Sequence, residues 1–206
     1  MIIAGRQGMM GGREPYDVGV EFLESTGTQY IDTLVNADSN LSVEVTMANT
    51  GTTWTNVNPM GALCMAPRYR HHINFPLDGK GILYYFGGDD SCYVDFGYRP
   101  STREVFTFKV DAINKTFILG SFVGAIPGAS DAFDTGVSYW LFGRNGSNPP
   151  HFGSYRIYSV KMWNVDTLVF DGIPVRKGTV GYMYDKVSGK LFGNQGTGEF
   201  ILGTDL

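Results

Sequence analysis

From Val20 onward, apolar and polar residues alternate along the chain with the period of a strand. In Leu41-Ser-Val-Glu-Val-Thr-Met-Ala48, Val43, Val45 and Met47 fall on one side and Ser42, Glu44 and Thr46 on the other, as a half-buried strand requires. Phe106, Phe108 and Val110 repeat this against Thr107, Lys109 and Asp111. Turn chemistry follows in Asp111-Ala-Ile-Asn-Lys-Thr116 and an apolar run returns in Thr116-Phe-Ile-Leu-Gly120, so this stretch reads as a hairpin. Further strands are expected at Gly81 to Phe86, Val137 to Phe142, Gly153 to Trp163, Leu168 to Val175 and Gly181 to Tyr184. Breakers separate them: Asp78-Gly79, Gly87-Gly88, Pro127-Gly128, Asn145-Gly146 and Pro149-Pro150. No capping box precedes a sustained helical period, so helices should be short or absent. About a dozen short strands at this spacing make two packed antiparallel sheets or a barrel.

Two stretches depart from simple alternation. Between Tyr155 and Trp163, Tyr155, Ile157 and Trp163 share one parity while Tyr158, Val160 and Met162 share the other. Either a strand covered on both sides or a bulge that swaps faces accounts for this. The segment Met1 to Val18 shows no period at all and carries Gly5, Gly8, Gly11 and Gly12 among three methionines, the composition of a flexible arm. It is expected to dock on another subunit or partner, with residues 19–206 forming one domain.

Composition narrows the function classes. The 206 residues include 28 Gly, 14 Phe and 12 Tyr, and 17% are charged, below the ~25% of average globular domains. With 43% hydrophobic residues the chain buries a core, which excludes whole-chain disorder. A net charge of −4 without any Lys/Arg block argues against nucleic acid as a partner. No apolar run reaches the ~18 residues of a membrane-spanning helix, and no signal-peptide pattern opens the chain. Cys64 and Cys92 make neither a disulfide framework nor a zinc set; they read as two small apolar side chains, or as a pair if two strands bring them together.

Several segments carry a resemblance. Val20-Glu-Phe-Leu-Glu-Ser-Thr-Gly-Thr-Gln-Tyr-Ile-Asp-Thr33, Phe152-Gly-Ser-Tyr-Arg-Ile-Tyr-Ser-Val-Lys-Met-Trp163 and Phe170-Asp-Gly-Ile-Pro-Val-Arg176 with Gly181-Tyr-Met-Tyr-Asp-Lys-Val-Ser-Gly-Lys-Leu-Phe-Gly-Asn194 resemble the concanavalin A-like, LamG-type jelly-roll domains of phage, prophage and gut-bacterial surface proteins. The Val105 to Phe122 hairpin is similar to that family's central pair. The resemblance covers most of Val20 to Leu206 and leaves out the arm. It implies an all-β, two-sheet antiparallel jelly-roll sandwich serving as a glycan-binding or virion-surface module, often without enzymatic activity. The physical reading of the closing motif is separate. Gly189 in Asp185-Lys-Val-Ser-Gly-Lys190 suits the positive-φ position of a hairpin loop, and Gly193 to Gly198 has no helix or lysine to make a phosphate loop.

The catalytic chemistry that such a scaffold supports is not visible. A glycoside hydrolase needs two carboxylates facing one another across the sugar, about 5–9 Å apart. The six glutamates, Glu14, Glu21, Glu24, Glu44, Glu104 and Glu199, include no Glu/Asp/Glu alternation, and Glu21 and Glu24 fall on opposite sides of a strand. No serine elbow accompanies His71, His72 and His151. Arg68-Tyr-Arg-His-His72 reads either as a solvated basic loop over Tyr69 or as a contact for an anion or acidic sugar, because arginine recognises carboxylates bidentately. Adjacent histidines on a strand point apart and do not share a metal. Asp89, Asp90 and Asp95 follow Gly87-Gly88 and suggest either a solvated turn or a calcium site; no other cofactor is expected.

Sugar sites stack aromatic rings on the apolar faces of sugars and fix them with a few polar groups. Trp54 lies among Thr and Asn and is the leading exposed candidate; Tyr84 and Tyr85 precede the Gly87 loop. Trp140 is expected in the core, close to Arg144 and Asn145, and Trp163 adjoins Asn164. Trp54, Tyr85, Asp89, Asp90, Arg144 and Asn145 therefore form the expected ligand-binding set. The expected function is a non-enzymatic phage or prophage virion protein on a tail or capsid surface, exposed outside the cell, attaching to host glycan or to a partner. A free-standing bacterial lectin-like domain is the alternative, and a glycosidase comes third.

Overall fold

The structure, a computed structural model, describes residues 14–51, 57–75, 81–88, 92–126, 132–146 and 151–206. Trp54, Asp89, Asp90 and Met1 to Arg13 lie outside them. Among the described residues there are strands and no helices. In chain order the strands begin with β1 (Val18–Gly19), β2 (Leu23–Thr26), β3 (Ile31–Asp38), β4 (Leu41–Asn49), β5 (Val57–Met65) and β6 (Arg68–Phe75). Next come β7 (Leu83–Gly87), β8 (Tyr93–Asp95), β9 (Val105–Asp111), β10 (Thr116–Leu119), β11 (Phe122–Ala125), β12 (Asp134–Leu141) and β13 (Gly143–Asn145). The last are β14 (His151–Phe152), β15 (Ser154–Asn164), β16 (Thr167–Lys177), β17 (Val180–Asp185), β18 (Lys190–Phe192) and β19 (Ile201–Leu202).

Two sheets result. The first runs β11-β10-β9-β4-β15-β16-β17-β18, with β1 beside β16 and β2 joining β15 to β19. The second runs β14-β13-β5-β6-β7-β8, with β12 pairing both β5 and β3. The pairs are antiparallel except for β13 on β5, which is parallel over Arg144↔Gly61 and Asn145↔Ala62.

The alternation read from the sequence sets which face of each strand is dry. Val43, Val45 and Met47 of β4, and Phe106, Phe108 and Val110 of β9, are buried on the inner face of the first sheet. Met60 and Ala62 of β5, Ile73 and Phe75 of β6, and Tyr84 and Phe86 of β7 answer from the second. Aromatic rings interlock across the gap: Phe75 lies 6.4 Å from Phe106 and 5.6 Å from Tyr155, and Tyr84 lies 5.2 Å from Phe117. Each fully buried phenylalanine contributes about 1.5–3 kcal/mol of transfer free energy.

Tyr155 to Trp163 is resolved in favour of a bulge. The pairing of β15 with β4 slips between Ile157↔Met47 and Ser159↔Thr46, so Tyr158 is the extra residue. Ile157 precedes it and Val160 and Met162 follow it, yet all three are fully buried, because the bulge exchanges the faces. Gly189 has φ 70° in the β17–β18 turn, as that hairpin requires. The C-terminal end of the glycine-rich segment lies on the first sheet: Asp17 donates its amide to the Arg176 carbonyl at 2.9 Å, and Tyr16 packs 4.9 Å from Tyr184. Cys64 and Cys92 are free thiols.

Candidate functional site

The Arg68 to His72 stretch is not a solvated loop. It forms β6, between β5 and β7 in the second sheet, with Arg70, His71 and His72 all buried. Polar residues enter such a strand only where each side of the sheet offers them partners. The adjacent histidines point to opposite sides, as strand geometry dictates. His71 faces the core, where its Nε2 lies 2.8 Å from the Leu41 carbonyl oxygen and its Nδ1 lies 2.7 Å from the Tyr84 hydroxyl. A carbonyl only accepts, so Nε2 carries the proton and Nδ1 accepts from Tyr84. Burial lowers the His71 pKa to about 4, holding the ring neutral.

His72 faces outward and anchors a transverse row. Across the sheet, Arg144 (β13) stands opposite Gly61 (β5), Gly61 opposite His72 (β6), His72 opposite Tyr85 (β7), and Tyr85 opposite Tyr93 (β8). Residues so paired share one face. The His72 ring stacks on Tyr85 at 5.0 Å, Tyr93 lies 5.3 Å from the same ring, and the Arg70 guanidinium sits 4.9 Å from its centroid. Tyr85 thus holds Arg70 and His72 in place. Arg144 reaches over the bare Gly61 and puts Nη1 3.2 Å from His72 Nε2 and 3.3 Å from Asn58 Oδ1. A guanidinium only donates, so His72 Nε2 accepts and the ring is neutral.

Asn58, Arg70, His72, Tyr85 and Arg144 line a cleft of about 360 Å³, together with Arg68, Asn74 and His151. That volume lies within the ~300–1,000 Å³ of ordinary ligand sites. Its described lining includes the side chains of Arg68, Arg70 and Arg144. Burial, then repulsion from Arg70 and Arg68, lowers the Arg144 pKa to about 10. Burial, then repulsion from Arg144 and Arg70, lowers that of His72. Asn74 Oδ1 is buried in the cleft and has no hydrogen-bond partner.

Of the residues expected from sequence, Tyr85 and Arg144 come together here. Asn145 is engaged in its own turn: its Nδ2 donates to the Ser138 carbonyl at 3.0 Å and its Oδ1 accepts the Gly146 amide at 2.8 Å. Trp54, Asp89 and Asp90 fall outside the described residues. Tyr84 belongs to the core, Trp140 stacks on Tyr30 at 4.0 Å, and Trp163 lies on the first sheet, 5.4 Å from the Lys109 ammonium. Asp95 accepts the Gly97 amide in a turn. No cluster of His, Cys, Asp or Glu able to hold a metal occurs among the described residues. Asn58, Asn74 and His151 were not singled out from sequence as ligand groups.

A larger cavity of about 630 Å³ lies between Phe96, Tyr98, Val105 and Phe122, but its walls are mostly apolar and no titratable cluster faces it. Several glutamates are occupied elsewhere: Glu14 with Tyr184, Glu24 with Arg156 at 2.6 Å, Glu21 with Thr204, and Glu104 with Tyr98 and the Ser101 amide. Compared with known protein families and with curated proteins, the chain matches none.

Proposed function

We propose that this chain is a non-enzymatic binding module of the concanavalin A-like, LamG-type jelly-roll kind, a surface component of a phage or prophage virion that attaches to host-surface glycan. The observation that carries this reading is the outward cleft of the second sheet, where side chains from five strands, β5, β6, β7, β13 and β14, converge on one volume. Two stacked sheets with an aromatic core favour a jelly roll, and the motif resemblance favours the surface-protein class. The pairing of β1 with β16 places the exit of the N-terminal segment on the first sheet, whereas the cleft is on the second. One sheet therefore serves assembly through the arm while the other holds ligand.

The test is a glycan array probed with the full chain and with Tyr85→Ala, which removes the ring that holds Arg70 and His72. Binding of a defined glycan by the native chain, lost in the variant while its thermal transition is kept, supports the reading. An array without any signal above background for the native chain overturns it.

A further inference from the structure

We infer that the apolar cavity beside β9 takes an added strand, supplied by the Met1-Ile-Ile-Ala4 run of another copy's N-terminal arm. This rests on the reading of the arm as an assembly segment and gives it a docking place on the first sheet.

The cavity occupies the place of a missing stretch of strand. β4 follows β9 as far as Ala48↔Val105, whereas β10 leaves β9 at Leu119↔Phe108. Among the described residues no strand therefore lies beside Val105, Phe106 and Thr107 on the β10 side. The space of about 630 Å³ is lined by those three residues and by Gly120 and Ser121, where the chain turns from β10 into β11. A bare strand edge is a template for main-chain pairing with another chain. An extended segment added to such an edge gains main-chain hydrogen bonds and places alternate side chains in flanking pockets. The flanks here are apolar: Phe96 and Leu119 are packed against the core, and Val105 and Phe122 are exposed.

The occupant follows from charge and from where the arm begins. No charged residue lines the cavity among the described residues, so an uncharged apolar segment fits it. Met1-Ile-Ile-Ala4 is the arm's longest run of that kind, and its two isoleucines favour a strand. Thirteen residues precede Glu14, a reach of about 45 Å when extended. The root of the arm points to another copy as the donor. Asp17 bonds to Arg176 of β16, while Tyr16 packs on Tyr184 of β17 and Glu14 bonds the same tyrosine. Traced back toward Met1, the chain thus heads outward across β17, whereas its own β9 lies in the opposite direction, beyond β15 and β4.

The experiment is size-exclusion chromatography with light scattering on the full chain, on Ile3→Asp in the arm and on Val105→Asp in the cavity. The native chain should scatter as more than one copy, and each substitution should bring the mass down to a single copy. Both variants should keep native circular dichroism, since Ile3 precedes the domain and Val105 is exposed. Mixing Val105→Cys chains with Ile2→Cys or Ile3→Cys chains under oxidising conditions should give a covalent dimer that neither chain gives alone, which controls for the native Cys64 and Cys92. An assembly that Ile3→Asp breaks but Val105→Asp leaves whole, without that covalent dimer, overturns the cavity as the docking place and leaves the arm as an assembly segment. A native chain that scatters as one copy, or an assembly that Ile3→Asp leaves unchanged, overturns both.

Discussion

Gly61 and His72 stand opposite one another with no room for a side chain on the first: a Cβ built on Gly61 would lie 2.2 Å from the Cβ of His72. Gly61 also has φ 132°, where L side chains are strained whatever the space. Its bareness lets Arg144 cross β5 to reach His72 Nε2 at 3.2 Å. Gly61→Ala is expected to cost about 2–4 kcal/mol, from backbone strain and overpacking together. Urea unfolding at neutral pH checks the stability. Ligand binding should fall by more than that loss alone explains, because Arg144 is displaced; an alanine variant with unchanged stability and binding would show that the crossing does not need the glycine.

Acid should weaken the fold through His71. The folded ring refuses a proton until about pH 4, whereas the unfolded chain accepts it near the ordinary histidine value of 6.5. Protonation therefore favours the unfolded state: this contribution is intact above pH 6.5 and is lost as the pH falls from there toward 4. Between pH 7.5 and 5.5 the loss should be about 1.4 kcal/mol from His71 alone. His72, also shifted down, adds to it with the same sign. Urea midpoints measured across that interval, before the carboxylates titrate, should fall. His71→Gln should be less stable at pH 7.5, having lost its bonds to Leu41 and Tyr84, but should show a shallower dependence.

Much of the fold was legible in the residues, and the reasons are specific. Val43, Val45 and Met47 alternate with polar neighbours because one side of β4 meets water, and that signal carried both sheets. The bulge at Tyr158 was visible only as a conflict of parity, since a face swap depends on how β4 slips past β15. The cleft was harder to read. Arg68, Arg70, His72 and Asn74 do recur at every second position, the period of a strand with a polar outer face, but their charge suggested a loop. Burial of Arg70 and His72 depends on Tyr85, Arg144 and Asn58, which come from other strands. The parallel pairing of β13 with β5 that delivers Arg144 has no local mark in the sequence.

Asp185 closes the last hairpin from the inside. It is 2% exposed, and its carboxylate accepts from the amides of Asp171 at 2.8 Å, Val187 at 3.1 Å and Ser188 at 3.1 Å, and from the Ser188 hydroxyl at 2.6 Å. Asp185→Ala strands these donors in a partly buried turn and should cost about 2–4 kcal/mol. Asp185→Asn, which keeps one acceptor oxygen, should cost roughly half as much. Hydrogen exchange should show lost protection first at Val187 and Ser188. Protection that stays native at those amides in the alanine variant would mean that water replaces the carboxylate without cost.

Glu24 and Arg156 tie β2 to β15 through an ion pair of 2.6 Å in which both side chains are largely sheltered, at 12% and 21% exposure. The guanidinium also lies 4.0 Å from the centroid of the Phe22 ring, so it is held by packing as well as by charge. Glu24→Gln should therefore cost only about 1–2 kcal/mol, because the amide oxygen still accepts and the stacking persists. Arg156→Ala should cost more, since it removes the cover over Phe22 and leaves a sheltered carboxylate unpaired. The double variant separates the two effects: its loss should fall short of the sum of the single losses by the coupling between the charges. Additive losses would show that Arg156 acts through Phe22 alone.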